Sequence, residues 1–155
     1  ALTQPNPPFN FYDPSKPIYS HPRFLPGSIV TNSVMEDALL SEGCCITNAE
    51  IKHSIIGLRS QIKSGVKIKD SILMGNDYFE RDWKGEGKKL PLQISNNCSI
   101  EGAIIDKNAR LGENVVIRPF PQGTDIDGDQ WVVRDGIVVI PKNAQVMPDT
   151  VIAPQ

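Results

Sequence analysis

The chain has 155 residues, 22% of them charged, and a formal net charge of −2. This length suits one domain with an extra arm, and the lack of a basic excess argues against nucleic acid or an anionic membrane as partner. No apolar run approaches the roughly 18–20 residues that span a bilayer, and the start lacks the pattern of a signal peptide. The three cysteines are sparse and two are adjacent, which indicates a reducing compartment.

Residues 1–28 form a segment rich in proline and aromatic residues. Prolines at this density block helices and disfavour central strands. The aromatic residues between them predict an extended arm that packs along another surface, and a plain linker is the alternative. Because the chain begins in this Pro-rich sequence without Met, we interpret it as part of a longer protein.

From residue 34 onward, apolar residues recur at steps of six, with occasional steps of five. The positions are Val34, Leu40, Ile46, Ile51, Ile56, Ile62, Ile68, Met74, Ile94, Ile100, Ile105, Leu111, Ile117, Ile140, Val146 and Ile152. One inward side chain per six residues is typical of a parallel β-helix with a triangular cross-section, whose coils bury apolar residues against each other. A β-sandwich would show period-two alternation instead, and the Gly, Asn and β-branched content excludes an amphipathic helix. Residues 29–155 are therefore predicted to form an all-β, hexapeptide-repeat solenoid.

Two polar, Gly-rich segments interrupt the repeat, at about 75–93 and 118–136. Insertions in a solenoid become loops on one face, often the binding face. Their aromatic residues are costly to expose to water, so a binding role and plain solvated excursions fit these segments equally. These residues are Tyr78, Phe79, Trp83 and Trp131.

Motifs for catalysis or metal binding are mostly missing. Asp125, Asp127 and Asp129 resemble a calcium loop, but the Gly is misplaced and no Glu closes the site, so a turn is the better interpretation. Two histidines cannot form a three-histidine zinc site within one chain. His53 is the one histidine on the repeat, and it is a candidate base for an acyltransferase, although a surface turn is the commoner role for such a residue.

Four basic residues stand out in the sequence: Lys107 and Arg110 in the run 104–112, Lys142 in the run 136–144, and Arg23 in the arm. Each is by default a solvated side chain. Together on one edge of a β-helix they would suit a small phosphorylated or carboxylated anion, since lysine and arginine both bind phosphate well.

Several of these runs resemble one family. Residues 11–13, 17–26, 53–60, 74–78 and 104–110 are similar to glucose-1-phosphate adenylyltransferase, also called ADP-glucose pyrophosphorylase, of the cyanobacterial and plant type. The resemblance covers the chain from about Phe9 to Ile152, and it falls on the C-terminal domain of that family. The strings D-K-N-A-R and P-R-F-L-P, in this order around the hexapeptide ladder, are its most specific parts.

The resemblance implies a left-handed parallel β-helix that follows an N-terminal nucleotidyltransferase domain. The whole enzyme would make ADP-glucose and diphosphate from ATP and glucose 1-phosphate with Mg²⁺, in glycogen or starch synthesis. It implies a homotetramer with β-helix subunit contacts, 3-phosphoglycerate as activator, inorganic phosphate as inhibitor, and the bacterial cytoplasm or plastid stroma. The chain alone would bind no cofactor and catalyse nothing, because the catalytic domain is not in it.

Residue by residue, the resemblance assigns an effector site. Lys107 and Lys142 match two activator lysines, and Asp106 matches a neighbour that lines the anion site. His21 and Arg23 match a family pair that contacts bound anion, with His21 in place of Gln. Pro141 and the segment 118–136 also depart from the family pattern, which bears on the effector and leaves the domain assignment intact.

Three other functions fit a hexapeptide-repeat chain. A free-standing acyltransferase would use His53 as its base near a subunit cleft. A trimerisation or scaffold domain would need no ligand, and the β-helix of another sugar-nucleotide pyrophosphorylase is disfavoured by the D-K-N-A-R string.

Overall fold

The computed structural model describes residues 6–10, 13–80 and 90–155, and eighteen β-strands make up its regular structure apart from 3-10 geometry at Glu80. Coil 1 contains β1 (Ile29–Thr31), β2 (Val34–Glu36) and β3 (Leu39–Leu40), and coil 2 contains β4 (Cys45–Thr47), β5 (Glu50–Lys52) and β6 (Ile55–Ile56). Coil 3 contains β7 (Gln61–Ile62), β8 (Lys67–Lys69) and β9 (Ile72–Leu73), and coil 4 contains β10 (Ser99–Glu101) and β11 (Ala103–Ile105). Coil 5 contains β12 (Arg110–Leu111), β13 (Val116–Ile117), β14 (Ile126–Asp127), β15 (Val132–Arg134) and β16 (Ile137–Ile140), and coil 6 contains β17 (Gln145–Val146) and β18 (Val151–Ile152).

The strands stack into three parallel sheets, one on each side of the solenoid. Sheet A holds β1, β4, β7, β12 and β17; sheet B holds β2, β5, β8, β10, β13 and β18; sheet C holds β3, β6, β9, β11 and β16. Ile46 pairs with Ile62 and Ile51 with Ile68, so an uninterrupted coil is 16 or 17 residues long. The prediction of an all-β parallel β-helix is confirmed.

The axis of the solenoid is filled by the repeating aliphatic positions. Most of the predicted ladder is buried, and Ile51, Ile56 and Ile117 are 0% exposed. At two positions the predicted ladder differs by one residue from the side chains that face the axis. Val34 is 60% exposed and Met74 is 46% exposed, because their neighbours Met35 and Leu73 occupy the inward positions instead. In each case two adjacent apolar residues fit the spacing, and strand register decides between them.

A second buried row lies two residues before each ladder position, where side chains alternate back to the same face of the strand. It is made of small or modest residues such as Cys44, Ala49, Ser54, Cys98 and Ala103. Burial raises the pKa of Cys98 to about 11, so its thiol is neutral and serves packing. The corners therefore stay narrow enough for the coil to turn.

Left-handed backbone conformation marks the corners. Among the non-glycine residues there, Asn48, Asn97, Asn114 and Asp149 have φ between 50° and 61°, and Asn and Asp adopt that region more readily than other residues. Consecutive corners also bond through side chains, since Asn114 Nδ2 donates to Asp149 Oδ1 at 2.8 Å. Side-chain hydrogen bonds of this kind tie one coil to the next.

The second insertion, residues 118–136, is partly regular. Strands β14 and β15 form an antiparallel hairpin, and β15 pairs with β16 at the C-terminal edge of sheet C. Val133 is fully buried, and Phe120 and Trp131 pack partly buried against the core. The segment expected to be a loop therefore covers a sheet edge that would otherwise be unpaired.

The arm joins the solenoid near its end. The Pro26 carbonyl accepts a hydrogen bond from the Gly43 backbone at 2.9 Å, and the Ser28 hydroxyl donates to the Ser41 carbonyl at 2.6 Å. Upstream, Tyr19 is 91% exposed and Phe24 is 94% exposed. Phe11 and Tyr12 lie outside the described residues, as does Trp83 of the first insertion. Nowhere in the described chain is a helix long and apolar enough to cross a membrane.

Candidate anion-binding site

One corner of the β-helix, between sheets C and A, carries most of the candidate residues. Backbone hydrogen bonds of 2.7–3.1 Å join its successive levels, which are listed here from the N-terminal end: Pro26, Gly43, Arg59, Asn76, Asn108 and Asn143. Lys107 and Lys142 each precede one of the last two asparagines. The stacking of coils therefore brings together two lysines that are 35 residues apart in the sequence.

Asp77 lies between the two lysines. Its Oδ1 is 3.0 Å from Lys107 Nζ and its Oδ2 is 2.8 Å from Lys142 Nζ, so one carboxylate bridges both ammonium groups. Asp77 is a candidate site residue that the sequence did not assign. It lies in a polar insertion with no repeat to fix its position, and only its place in the run 74–78 marked it.

Two corner asparagines support this arrangement. Asn108 is buried, with 3% exposure, and its Oδ1 accepts a hydrogen bond from the Asp77 backbone at 2.8 Å. Its Nδ2 donates to Asp77 Oδ2 at 3.1 Å and to Asn143 Oδ1 at 3.2 Å. Asp106 Oδ1 accepts from the Lys107 backbone at 2.6 Å. The two lysines therefore lie on successive turns that these side-chain hydrogen bonds hold in place.

The charges of this cluster balance. Hydrogen bonds from Lys142 and Lys107 hold the pKa of Asp77 well below its ordinary value. The same carboxylate raises the pKa of Lys142, and Asp106 adds to that effect. Two lysines and two aspartates give a formal charge of zero, so carboxylates of the same domain balance the positive charge of the lysines.

Arg110 is placed differently from the lysines. Its side chain is 5% exposed, and Nη1 donates to both carboxylate oxygens of Glu80 at 3.1 Å and to the Leu90 carbonyl at 2.7 Å. The guanidinium therefore links Glu80 and Leu90, two separate parts of the first insertion. The structure therefore does not bring Arg110 into the lysine cluster.

His21 and Arg23 lie on the exposed arm. Arg23 Nη1 donates to the His21 carbonyl at 3.2 Å, and both side chains face solvent. Four levels of the corner separate Pro26 from Asn108, which is ~19 Å at the usual strand spacing. Within this domain the arm pair and the lysine pair are therefore separate.

A second basic surface lies on the outer face of sheet B. A groove of about 350 Å³ there is lined by Lys52, Lys67, Lys69 and Arg118. Carboxylates of the same face neutralise it, since Lys52 pairs with Glu50 and Lys69 with Glu101, each at 3.0 Å. This face is better described as a ladder of surface ion pairs than as an anion site.

The remaining candidates take part in turns. His53 has φ 44°, and its Nδ1 lies 2.6 Å from Asp70 Oδ1 at the corner between sheets B and C. Asp125 accepts from the Asp135 backbone at 2.8 Å, and Asp127 pairs with Arg134. Among the described residues, no group of three His, Cys, Asp or Glu side chains is arranged to hold a metal ion.

A sequence-family model described as the GLGC left-handed parallel beta-helix domain matches residues 23–151. The chain belongs to this family. The match confirms the resemblance to the C-terminal domain of glucose-1-phosphate adenylyltransferase, and it makes the solenoid a left-handed parallel β-helix. The matched residues of this GLGC domain include Arg23, Asp77, Lys107 and Lys142.

Proposed function

We propose that this GLGC domain is the regulatory and assembly part of an ADP-glucose pyrophosphorylase, and that it binds an anionic effector at Lys107 and Lys142. The observation that carries the proposal is the bridging contact of the Asp77 carboxylate with both Nζ atoms, at 3.0 and 2.8 Å. The two ammonium groups are spaced so that a single anionic group bonds to both. A carboxylate of a metabolite has the same charge and acceptor geometry as Asp77, and a phosphate offers more negative charge and more acceptor oxygens to the same two donors.

The chemistry of the cluster favours a small phosphorylated acid. Lysine binds phosphate as a point charge with three donors, and two lysines together suit a dianion. A ligand such as 3-phosphoglycerate carries both a phosphate and a carboxylate, and inorganic phosphate would compete for the same lysines. Asn108 and Asn143 supply neutral amides beside the charges.

The outer face of sheet C supports a docking role toward the N-terminal catalytic domain of the parent enzyme. An aliphatic row crosses its strands in register, through Leu39, Ile55, Ile72, Ile104 and Val139. Leu39 is 36% exposed and Ile72 is 41% exposed. A contiguous apolar face of this kind is typical of a protein contact. The exposed aromatic residues of the arm, Tyr19 and Phe24, would pack in the same interface.

The proposed mechanism is allosteric. The catalytic domain would convert ATP and glucose 1-phosphate, with its own Mg²⁺ ligands, while the β-helix would set its activity. An effector that binds Lys107 and Lys142 more tightly in one docking arrangement than in another shifts the population toward that arrangement. His21 and Arg23 would reach the effector from the interdomain side, or from another subunit of the tetramer.

The test uses the full-length enzyme that contains this domain. Lys107→Ala and Lys142→Ala are expected to raise the 3-phosphoglycerate concentration for half-maximal activation by at least about tenfold, because each removes one charged contact with the anion. Lys67→Ala, on the outer face of sheet B, is the matched control and should leave activation unchanged. Unchanged activation constants in both lysine variants would overturn the proposal.

A further inference from the structure

The lysine pair of the proposed effector site is already occupied by a carboxylate of the same domain. We propose that Asp77 is an internal counter-ion that competes with the effector, so that an anion binds Lys107 and Lys142 by displacing the Asp77 carboxylate. This inference rests on the proposed function and adds to it how the affinity of the site is set. It requires no residue outside the described part of the chain.

The contacts of Asp77 show what a ligand has to replace. Its two carboxylate oxygens receive the Lys107, Lys142 and Asn108 side chains at 3.0, 2.8 and 3.1 Å. These are charge-assisted hydrogen bonds, which are stronger than neutral ones. A phosphate placed against both Nζ atoms would meet this carboxylate at close range. Like charges repel there, so the two anions exclude each other.

Displacement leaves no buried polar group unsatisfied. The Asn108 amide keeps its bond to Asn143 Oδ1 at 3.2 Å, and its carbonyl oxygen still accepts from the Asp77 backbone at 2.8 Å. The Asp77 side chain is 36% exposed, so its carboxylate reaches water by rotating outward. The cost of displacement is therefore set by the lysine contacts and not by desolvation of the neighbours.

The displacement is local, because the residues that follow are fastened independently. Arg59 lies over the Phe79 ring, 5.7 Å from its centroid, and Glu80 bonds to Arg110 at 3.1 Å. Binding would change the side-chain position of Asp77 while the contacts of Phe79 and Glu80 persist. Without Asp77, the cluster of Lys107, Lys142 and Asp106 would carry a formal charge of +1, and its affinity for anions would rise.

The experiment measures inorganic phosphate binding to the full-length enzyme that contains this domain by isothermal titration calorimetry, at low ionic strength to limit screening. Asp77→Asn is expected to lower the phosphate Kd by about tenfold relative to the wild type, because the competing charge is gone. Asp77→Ser should tighten binding in the same direction, and Asp77→Glu should not. Asp149→Asn changes the net charge equally at another corner and should leave the Kd within about twofold.

The outcomes separate this inference from the proposed function. Phosphate binding that disappears in Lys107→Ala but is no tighter in Asp77→Asn and Asp77→Ser would overturn the counter-ion role and leave the anion site intact. Equal tightening in Asp149→Asn would also overturn it, since net charge alone would then explain the effect. Failure of both the wild type and the Asp77 variants to bind phosphate would overturn both proposals. Circular dichroism melts establish that each variant is folded.

Discussion

Arg110 and Glu80 form a bifurcated contact across 30 residues of chain, with the single nitrogen Nη1 at 3.1 Å from each carboxylate oxygen. The same nitrogen donates to the Leu90 carbonyl at 2.7 Å. Glu80 and Leu90 both belong to the first insertion, so one buried arginine on β12 holds two separate parts of that insertion. This role explains why the guanidinium is unavailable to the lysine cluster.

Removal of this contact is expected to destabilise the domain. Arg110→Ala should lower the free energy of unfolding by about 1.5–3 kcal/mol, because it removes charge-assisted hydrogen bonds made by a side chain that is 5% exposed. Urea denaturation at pH 7 measures the change. Arg134→Ala is the control: its ion pair with Asp127 is exposed, so the loss should stay below about 1 kcal/mol. Similar losses in both variants would contradict the structural role of Arg110.

The register of sheet C predicts unequal effects at two adjacent apolar residues. Leu73 is 3% exposed and Met74 is 46% exposed. Leu73→Ala should lower the free energy of unfolding by about 2–5 kcal/mol through a cavity in the axis, whereas Met74→Ala should cost less than about 1 kcal/mol. Chemical denaturation of the two variants in parallel decides the point. A larger loss of stability in Met74→Ala than in Leu73→Ala would mean that Met74 faces the axis, as the six-residue spacing predicted.

The lowered pKa of Asp77 predicts a dependence of stability on pH. A carboxylate whose pKa is lower in the folded than in the unfolded chain adds stability above its ordinary pKa, which is 3.8 here, and this stability is lost as the pH falls toward the folded value. Asp77→Asn should therefore melt at a lower temperature than the wild type at pH 5, and the gap should narrow at pH 3. Thermal melts in phosphate-free buffer measure both. A gap that is constant between pH 5 and pH 3 would argue against the ionic contacts of Asp77.

Corner asparagines are expected to stabilise the solenoid in two ways. Asn114 has φ 59°, and its amide donates to Asp149 at 2.8 Å. Asn114→Ala should cost about 1–2 kcal/mol, since it combines backbone strain with a lost hydrogen bond. Asn114→Gly removes the hydrogen bond but relieves the strain, so it should cost less. The order of the two melting temperatures checks this, and a less stable glycine variant would mean that strain at this corner is negligible.

The repeat could be predicted because each side of the solenoid takes about six residues and one inward aliphatic side chain. Ambiguity arose where two apolar residues are adjacent, as in Val34-Met35 and Leu73-Met74, because spacing alone does not distinguish them. Such pairs are resolved by backbone pairing across coils, which the spacing does not contain.

The candidate site was partly predictable from the sequence. Lys107 and Lys142 stand out as basic residues, and the resemblance to a known family gives them an effector role. Their proximity depends on a coil that accommodates the 118–136 insertion without losing register. Asp77 had no periodic signal, since it lies in an insertion. The burial of Arg110 depends on Glu80 and Leu90, which reach it from either side of residues 81–89. Contacts made by insertions follow from three-dimensional placement and not from the hexapeptide pattern.

Sheet A is continuous across coil 4 through one residue. Ile94 pairs with Ile62 on one side and Leu111 on the other as isolated bridges, whereas sheets B and C carry complete strands at the same level. Coil 4 is therefore joined to coils 3 and 5 by one paired residue on the side of sheet A, and by two or three paired residues on each of the other sides. We therefore expect the side of sheet A to open at Ile94 before the other two sides open at this coil.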